Sequence, residues 1–142
     1  MKVSAKAEYA CIAMLELAAH HAERTPMRVK TISDAHGIPQ RFLLQILIEL
    51  KGAGLLESVR GALGGYLLAR PPAEISVADI VHAIDRPEPR REPVASPDST
   101  AVQAVRAVWR EAQAEEQRVL DSINLSELIR RAHETQELAY QI

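Results

Sequence analysis

Residues 58–70 read Ser-Val-Arg-Gly-Ala-Leu-Gly-Gly-Tyr-Leu-Leu-Ala-Arg. Arg60 carries a planar, permanently charged guanidinium, a group suited to phosphates and to a narrow, negative groove. Gly61, Gly64 and Gly65 follow it within five positions. Glycine packs nothing in a strand and loses much backbone freedom on folding. These three must therefore supply a tight, positive-φ turn or a surface that something can approach closely. An ordinary hairpin with a solvated arginine has the same composition, so this stretch alone leaves both readings open.

Other chemistry-bearing groups form weaker patterns. Glu16 and His20 stand one helical turn apart, and His20, His21 and Glu23 could grip a metal or simply line a helix end. No Ser/His/Asp set and no paired buried carboxylates can be assembled. The run Gly-Ala-Leu-Gly-Gly follows a strand but precedes another strand, so it is not a phosphate-cradling loop. No enzyme, no metal site and no cofactor is expected.

The chain has 142 residues, about one domain, with 47% hydrophobic and 25% charged residues. Only 4% are aromatic, so a core would be built from Ala, Leu, Ile and Val, which favours helices. The net charge of −2 argues against indiscriminate binding to polyanions. Residues 1–86 hold 10 Lys/Arg against 9 Asp/Glu, net +1, and residues 87–142 hold 7 against 10, net −3. Contact with nucleic acid would have to come from locally placed bases in the first part. The single cysteine, Cys11, forbids an intramolecular disulfide and fits a reducing compartment. No apolar run approaches the ~20 residues of a membrane span, and the N-terminus has no apolar signal core. The expectation is a soluble, cytoplasmic protein.

The elements that must position Arg60 follow from pattern. Residues 4–21 predict a helix capped by Ser4, with Cys11, Met14, Leu15 and Ala18 on its buried face. A helix of about two turns then ends at Gly37, and a second begins near Pro39 and runs to about Lys51, with Leu43, Leu47 and Leu50 on one side. Two short helices around a glycine turn make a helix-turn-helix. Strands from Leu-Leu-Glu-Ser-Val-Arg and Tyr-Leu-Leu-Ala-Arg flank the glycines, and a capped helix covers 76–85. Residues 87–99 carry four of the eight prolines and predict a linker or loop. Beyond it, Val102, Val105, Trp109, Ala112, Glu116, Val119 and Ile123 recur in steps of three and four, a coiled-coil seam that wants a partner. Asn124 and Glu127 open a last helix.

The fold class is therefore mainly α with a small β-hairpin: a winged helix-turn-helix head over 1–86, a proline-rich connection over 87–99, and a long dimerisation helix with a C-terminal helix over 100–142. In a winged helix the second helix lies in the major groove and the hairpin reaches the neighbouring backbone or minor groove. The stretches "SAKAEYACIAMLELA", "ISDAHGIPQRFLLQIL", "GLLESVRGALGGYLLAR", "ISVADIVHAID" and "W…LDSINLSELI" resemble the winged-helix regulators typified by the iron–sulfur cluster regulator. Relatives of that group are the nitric-oxide-sensing repressor and the cysteine-metabolism repressor (the Rrf-two type). The resemblance covers nearly the whole chain. It implies a homodimer whose long helices cross, with two heads on a palindromic operator in double-stranded DNA. By the same resemblance Arg60 would enter the minor groove, Gly61, Gly64, Gly65 and Tyr66 would shape the wing, and Lys2 and Lys6 would lie near phosphates. Gln40, Arg41 and Gln45 occupy the exposed side of the recognition helix, where amides and guanidinium can meet base edges. Apart from Arg60, each of these is equally readable as a solvated surface side chain.

Two departures from the group matter. Many of its members hold an iron–sulfur cluster through three closely spaced cysteines before the long helix, and residues 72–108 contain none. Cys11 reads better as a small buried hydrophobe than as a redox sensor, and Glu8 without thiols cannot hold a cluster. Leu44 and Ile48 also fall on the face that should look at DNA, where relatives commonly carry an acidic and a small polar residue; apolar groups there can contact thymine methyls, or equally mean that the helix packs on something else. The expectation is a dimeric DNA-binding transcription regulator, a repressor, without an iron–sulfur cluster and controlled by a small-molecule or protein effector. The competing expectation is a protein-interaction module that kept the fold and lost operator reading.

Overall fold

A computed structural model describes residues 2–86 and 96–140. It contains α1 (Ala5–Ala19), α2 (Val29–His36), α3 (Gln40–Gly52), β1 (Leu56–Val59), β2 (Gly65–Leu68), α4 (Val77–Ile84), α5 (Thr100–Ser122) and α6 (Leu125–Tyr140). Two single turns of 3₁₀ helix, His21–Glu23 and Pro72–Glu74, punctuate the connections. The expected proline-rich connection lies for the most part outside the described residues, and Ser99 at its end caps α5 by accepting from the Val102 N–H.

α1 is the central helix. Ser4 caps it by accepting from the Ala7 N–H at 3.0 Å, and the same hydroxyl donates to Asp85 Oδ1 at 2.6 Å. Asp85 ends α4, so this pair ties the start of the first helix to the end of the fourth. The buried stripe of α1 is Ala7, Ala10, Ala13, Met14, Leu17 and Ala18. This corrects the expected stripe: Met14 and Ala18 belong to it, while Cys11 and Leu15 are only half-buried. The reason is the run of alanines. They let neighbouring helices approach closely, and the helix turns its smallest side chains toward the crowded side.

The core adds Ile32 from α2, Leu43, Ile46, Leu47 and Leu50 from α3, Leu56 and Leu68 from the hairpin, and Ile75 and Ile80 around α4. It also takes in Leu125 from α6, which is fully buried. The chain reaches it through a short antiparallel bridge between Ser76 and Asn124. There the Val77 N–H donates to the Ile123 carbonyl at 2.8 Å and the Leu125 N–H to the Ile75 carbonyl at 3.0 Å. Asn124 caps α6 through the Glu127 N–H at 2.9 Å.

From Arg130 onward every described residue of α6 is exposed. Ion pairs one turn apart, Arg130 with Glu127 and Glu134 and Arg131 with Glu127, line that exposed part. The two arginines hold the Glu127 carboxyl down to about 2. α5 differs from all other helices of eight residues or more among those described, since none of its 23 residues is buried.

Glu16 accepts from or pairs with two imidazoles, His36 Nε2 at 2.9 Å and His20 Nε2 at 3.3 Å. Its partner His36 sits at the end of α2, so the pair joins α1 to the helix-turn-helix. Among the described residues no group of three or more His, Cys, Asp or Glu is arranged to hold a metal ion. None of the described helices is long and apolar enough to cross a membrane.

Candidate nucleic-acid interface

The turn between α2 and α3 is built by Gly37, at φ +67, where a side chain would be strained. Ile38 is buried beneath it, and the Ser33 hydroxyl, inside the core, donates to the Ile38 carbonyl. With Leu43, Ile46, Leu47 and Leu50 turned inward, the opposite side of α3 is set by the helical repeat. Arg41, Leu44, Gln45 and Ile48 recur there at the spacing of one face, and Gln40 opens the helix; all five are exposed.

The hairpin pairs Leu56 with Leu68, Glu57 with Leu67, Ser58 with Tyr66 and Val59 with Gly65. Residues 60–64 form its tip, with Arg60 and Leu63 exposed, Leu63 to 88%. The Gly64 N–H closes the tip on the Gly61 carbonyl at 3.0 Å. Close to the tip, strand β2 is stitched to the segment before α2 by two hydrogen bonds between Met27 and Tyr66, at 3.0 and 2.8 Å. Lys51 at the end of α3 donates to Ser58 Oγ at 2.6 Å and joins α3 to the hairpin.

The three glycines prove unequal. Gly61 has φ +106 and open space where a Cβ would stand, so it serves the turn. A Cβ on Gly64 would lie 2.2 Å from the Val59 carbonyl oxygen, and one on Gly65 would lie 2.3 Å from that of Met27. The close approach these two permit is to the chain's own backbone. At Gly64 the approach is within the hairpin's own tip, and at Gly65 it lets the hairpin lie against the segment entering the helix-turn-helix.

Of the other expected site residues, Lys2 is exposed near the start of α1. Lys6 pairs with Glu49 of α3 at 2.7 Å, so this ammonium neutralises the only carboxylate on that helix. The second Glu49 oxygen is buried and has no partner among the described residues. Sequence reasoning missed Lys51, His36 and Asp85. Their roles depend on partners 7, 20 and 81 residues away, which no local pattern reports.

On α5, Val105 and Val119 are 51% and 45% exposed, and Trp109 and Ala112 lie between them on the same strip. Val102 and Glu116 of the expected seam are half-buried. Ile123 is not part of the helix: it is the extended residue that ends α5, and its carbonyl is used by α4.

A cluster of the iron–sulfur kind needs several thiolates. The chain has one cysteine, and burial, with help from the Glu8 and Asp85 charges, pushes the Cys11 thiol up to about 11. The donor set does not fit such a cluster. At pH 8 a thiol titrating near 11 is about one part in a thousand thiolate. Native protein is therefore expected to react with iodoacetamide at least tenfold more slowly than urea-unfolded chain at pH 8. Its rate should rise about tenfold per pH unit toward 11, read by mass spectrometry. Equal labelling of folded and unfolded chain at pH 8 would show Cys11 to be an accessible thiolate instead.

The family model described as "Rrf2: Iron-dependent Transcriptional regulator" matches residues 3–131. CymR of Bacillus subtilis, an HTH-type transcriptional regulator, is 34% identical over 128 residues, covering 90% of this chain and 89% of its own. Its solved structure superposes with a TM-score of 0.81 at 33% identity, over 92% of this chain and 98% of that one. The structure of T. potens IscR gives 0.79 at 37% identity, over 96% and 91%. This chain, with its helix-turn-helix, hairpin wing and long penultimate helix, belongs to the Rrf2 family of winged-helix, DNA-binding transcription regulators.

Proposed function

We propose that the protein is a homodimeric, sequence-specific repressor working in the cytoplasm without an iron–sulfur cluster. Two heads, each within residues 1–86, sit on the halves of a palindromic operator, and the α5 helices, the first part of a dimerisation region over 100–142, cross between them. α3 enters the major groove with Gln40, Arg41 and Gln45 toward base edges, and the wing carries Arg60 to the adjacent minor groove. Gly61, Gly64, Gly65 and Tyr66 shape that wing, and Lys2 and Lys6 stand near the flanking phosphates. A small molecule or a partner protein acts on the spacing of the two heads. The observation that carries this reading is α5, a helix about 35 Å long with no buried residue and an apolar strip along it.

The test is titration of the protein onto the DNA upstream of its own coding sequence at several salt concentrations. About six to ten phosphate contacts lower affinity by ~10³–10⁵ between roughly 50 and 200 mM salt. Arg60→Ala is expected to weaken the specific complex by about 1–3 kcal/mol, measured by fluorescence anisotropy. An unchanged affinity would remove Arg60 from the interface. The exposed Leu44 and Ile48 favour a second reading, a protein-interaction module. Weak, salt-insensitive and sequence-blind retention of DNA would select it.

A further inference from the structure

The outward face of α3 is half apolar. Leu44 and Ile48 are 44% and 55% exposed and stand one turn apart, where side chains of a helix touch. They interleave with Arg41 and Gln45 on the same face. A single exposed leucine needs no explanation, but a paired strip on the recognition helix does. Three features bear on what covers it. The strip lies on the second helix of a helix-turn-helix, joined to the wing by Lys51 and Ser58. The only carboxylate of α3 is already neutralised by Lys6. The strip is bordered by a guanidinium and an amide, so its surroundings suit a polyanion that also presents apolar spots and hydrogen-bonding edges.

The duplex major groove has that chemistry, and its only apolar feature on the base edges is the thymine 5-methyl group. We infer that Leu44 and Ile48 read thymine methyls, so that A·T pairs lie under the middle of α3 in each half of the operator. Arg41 and Gln45 hydrogen-bond to the neighbouring edges. A G·C pair at these positions offers no methyl group, so the apolar contact with the leucine and isoleucine is lost. Selection thus comes from the methyl contact itself. The inference rests on the duplex-binding reading above and adds the base class that is read.

The experiment selects duplexes of about 30 base pairs, long enough for two half-sites, from a randomised library with the wild-type protein. The enriched duplex is resynthesised with deoxyuridine for thymidine, which removes only the methyl groups. With about fourfold per methyl and one methyl in each half-site, the thymine duplex is expected to bind about 15-fold more tightly. In the Leu44→Ala/Ile48→Ala double variant that ratio should fall to near one, whereas Arg60→Ala should keep it. A wild-type ratio near one overturns the inference without using any variant, and so does a ratio that survives in the double variant. A library that enriches nothing overturns the duplex-binding reading and this inference together. A double variant with unchanged DNA affinity but lower mass by light scattering would make the strip a contact between copies of the chain, and would overturn it as well.

Discussion

On the proposed homodimer, Val105→Glu together with Val119→Glu is expected to give a monomer and to lower operator affinity by about 10²–10⁴. The two valines lie two heptads apart on α5, at 51% and 45% exposure, so neither contributes to the core of its own chain. Their replacement should leave the helical circular dichroism and the melting temperature of the head nearly unchanged, as for other surface substitutions. In a paired α5 the same positions face a second helix, and four carboxylates would be buried against each other without cations. Desolvation and like-charge repulsion oppose that arrangement by several kcal/mol. The large effect on DNA binding follows from geometry. A dimer that has placed one head holds the second at high effective concentration over the other half-site, and a monomer loses that advantage. Sedimentation or light scattering at micromolar concentration reads the first result, and anisotropy with a palindromic duplex reads the second. A double variant that keeps the wild-type mass would exclude this face of α5 as the interface.

Gly65→Ala is the second large effect, this time on stability. The added Cβ would stand 2.3 Å from the Met27 carbonyl oxygen and 2.5 Å from its carbon, both backbone atoms. Neither can move aside as a flexible side chain can. Gly65 also has φ +150, a region that side chains rarely adopt. Backbone strain of about 1–3 kcal/mol adds to a similar term for overpacking, so a loss of about 2–6 kcal/mol is expected. For a chain of this size that lowers the melting temperature by on the order of 10 °C. Gly61→Ala separates the two causes, because Gly61 has φ +106 but nothing within 4 Å of the Cβ position. It should cost about 1 kcal/mol, the strain alone. Urea denaturation of both variants ranks them. Equal stabilities would show that the Met27 contact does not constrain the wing.

Much of the architecture was legible in the chain itself, because its signals are local. Gly37 ends α2, Pro39 stands at the start of α3, Ser76 and Asp79 form a capping box on α4, and Ser4 caps α1. Each depends on residues within a turn of one another, so spacing alone reports it. The strip on α3 and the seam on α5 follow from the same periodicity. Of the candidate residues, only their placement was legible: Arg60 exposed at the tip, and Gln40, Arg41 and Gln45 exposed on α3.

What only the tertiary structure decided depends on pairs distant in sequence. Periodicity assigned Cys11 and Leu15 to the buried face of α1, but the surrounding helices meet its alanines instead. Packing of several neighbours on one helix, rather than the hydrophobicity of its own residues, chooses the side. The glycines of the wing could be seen, yet what they allow could not, since Met27 lies nearly forty residues before Gly65. Lys6 was visible as a basic residue near the start of α1, but its 2.7 Å pairing with Glu49, 43 residues away, was not. Leu125 resembles any first-turn leucine, and it enters the core only because the Ser76–Asn124 bridge returns the chain to the head. Helical repeats and caps are written in neighbouring residues; which surfaces meet is a property of the whole folded chain, where a contact's energy depends on what every other element leaves uncovered.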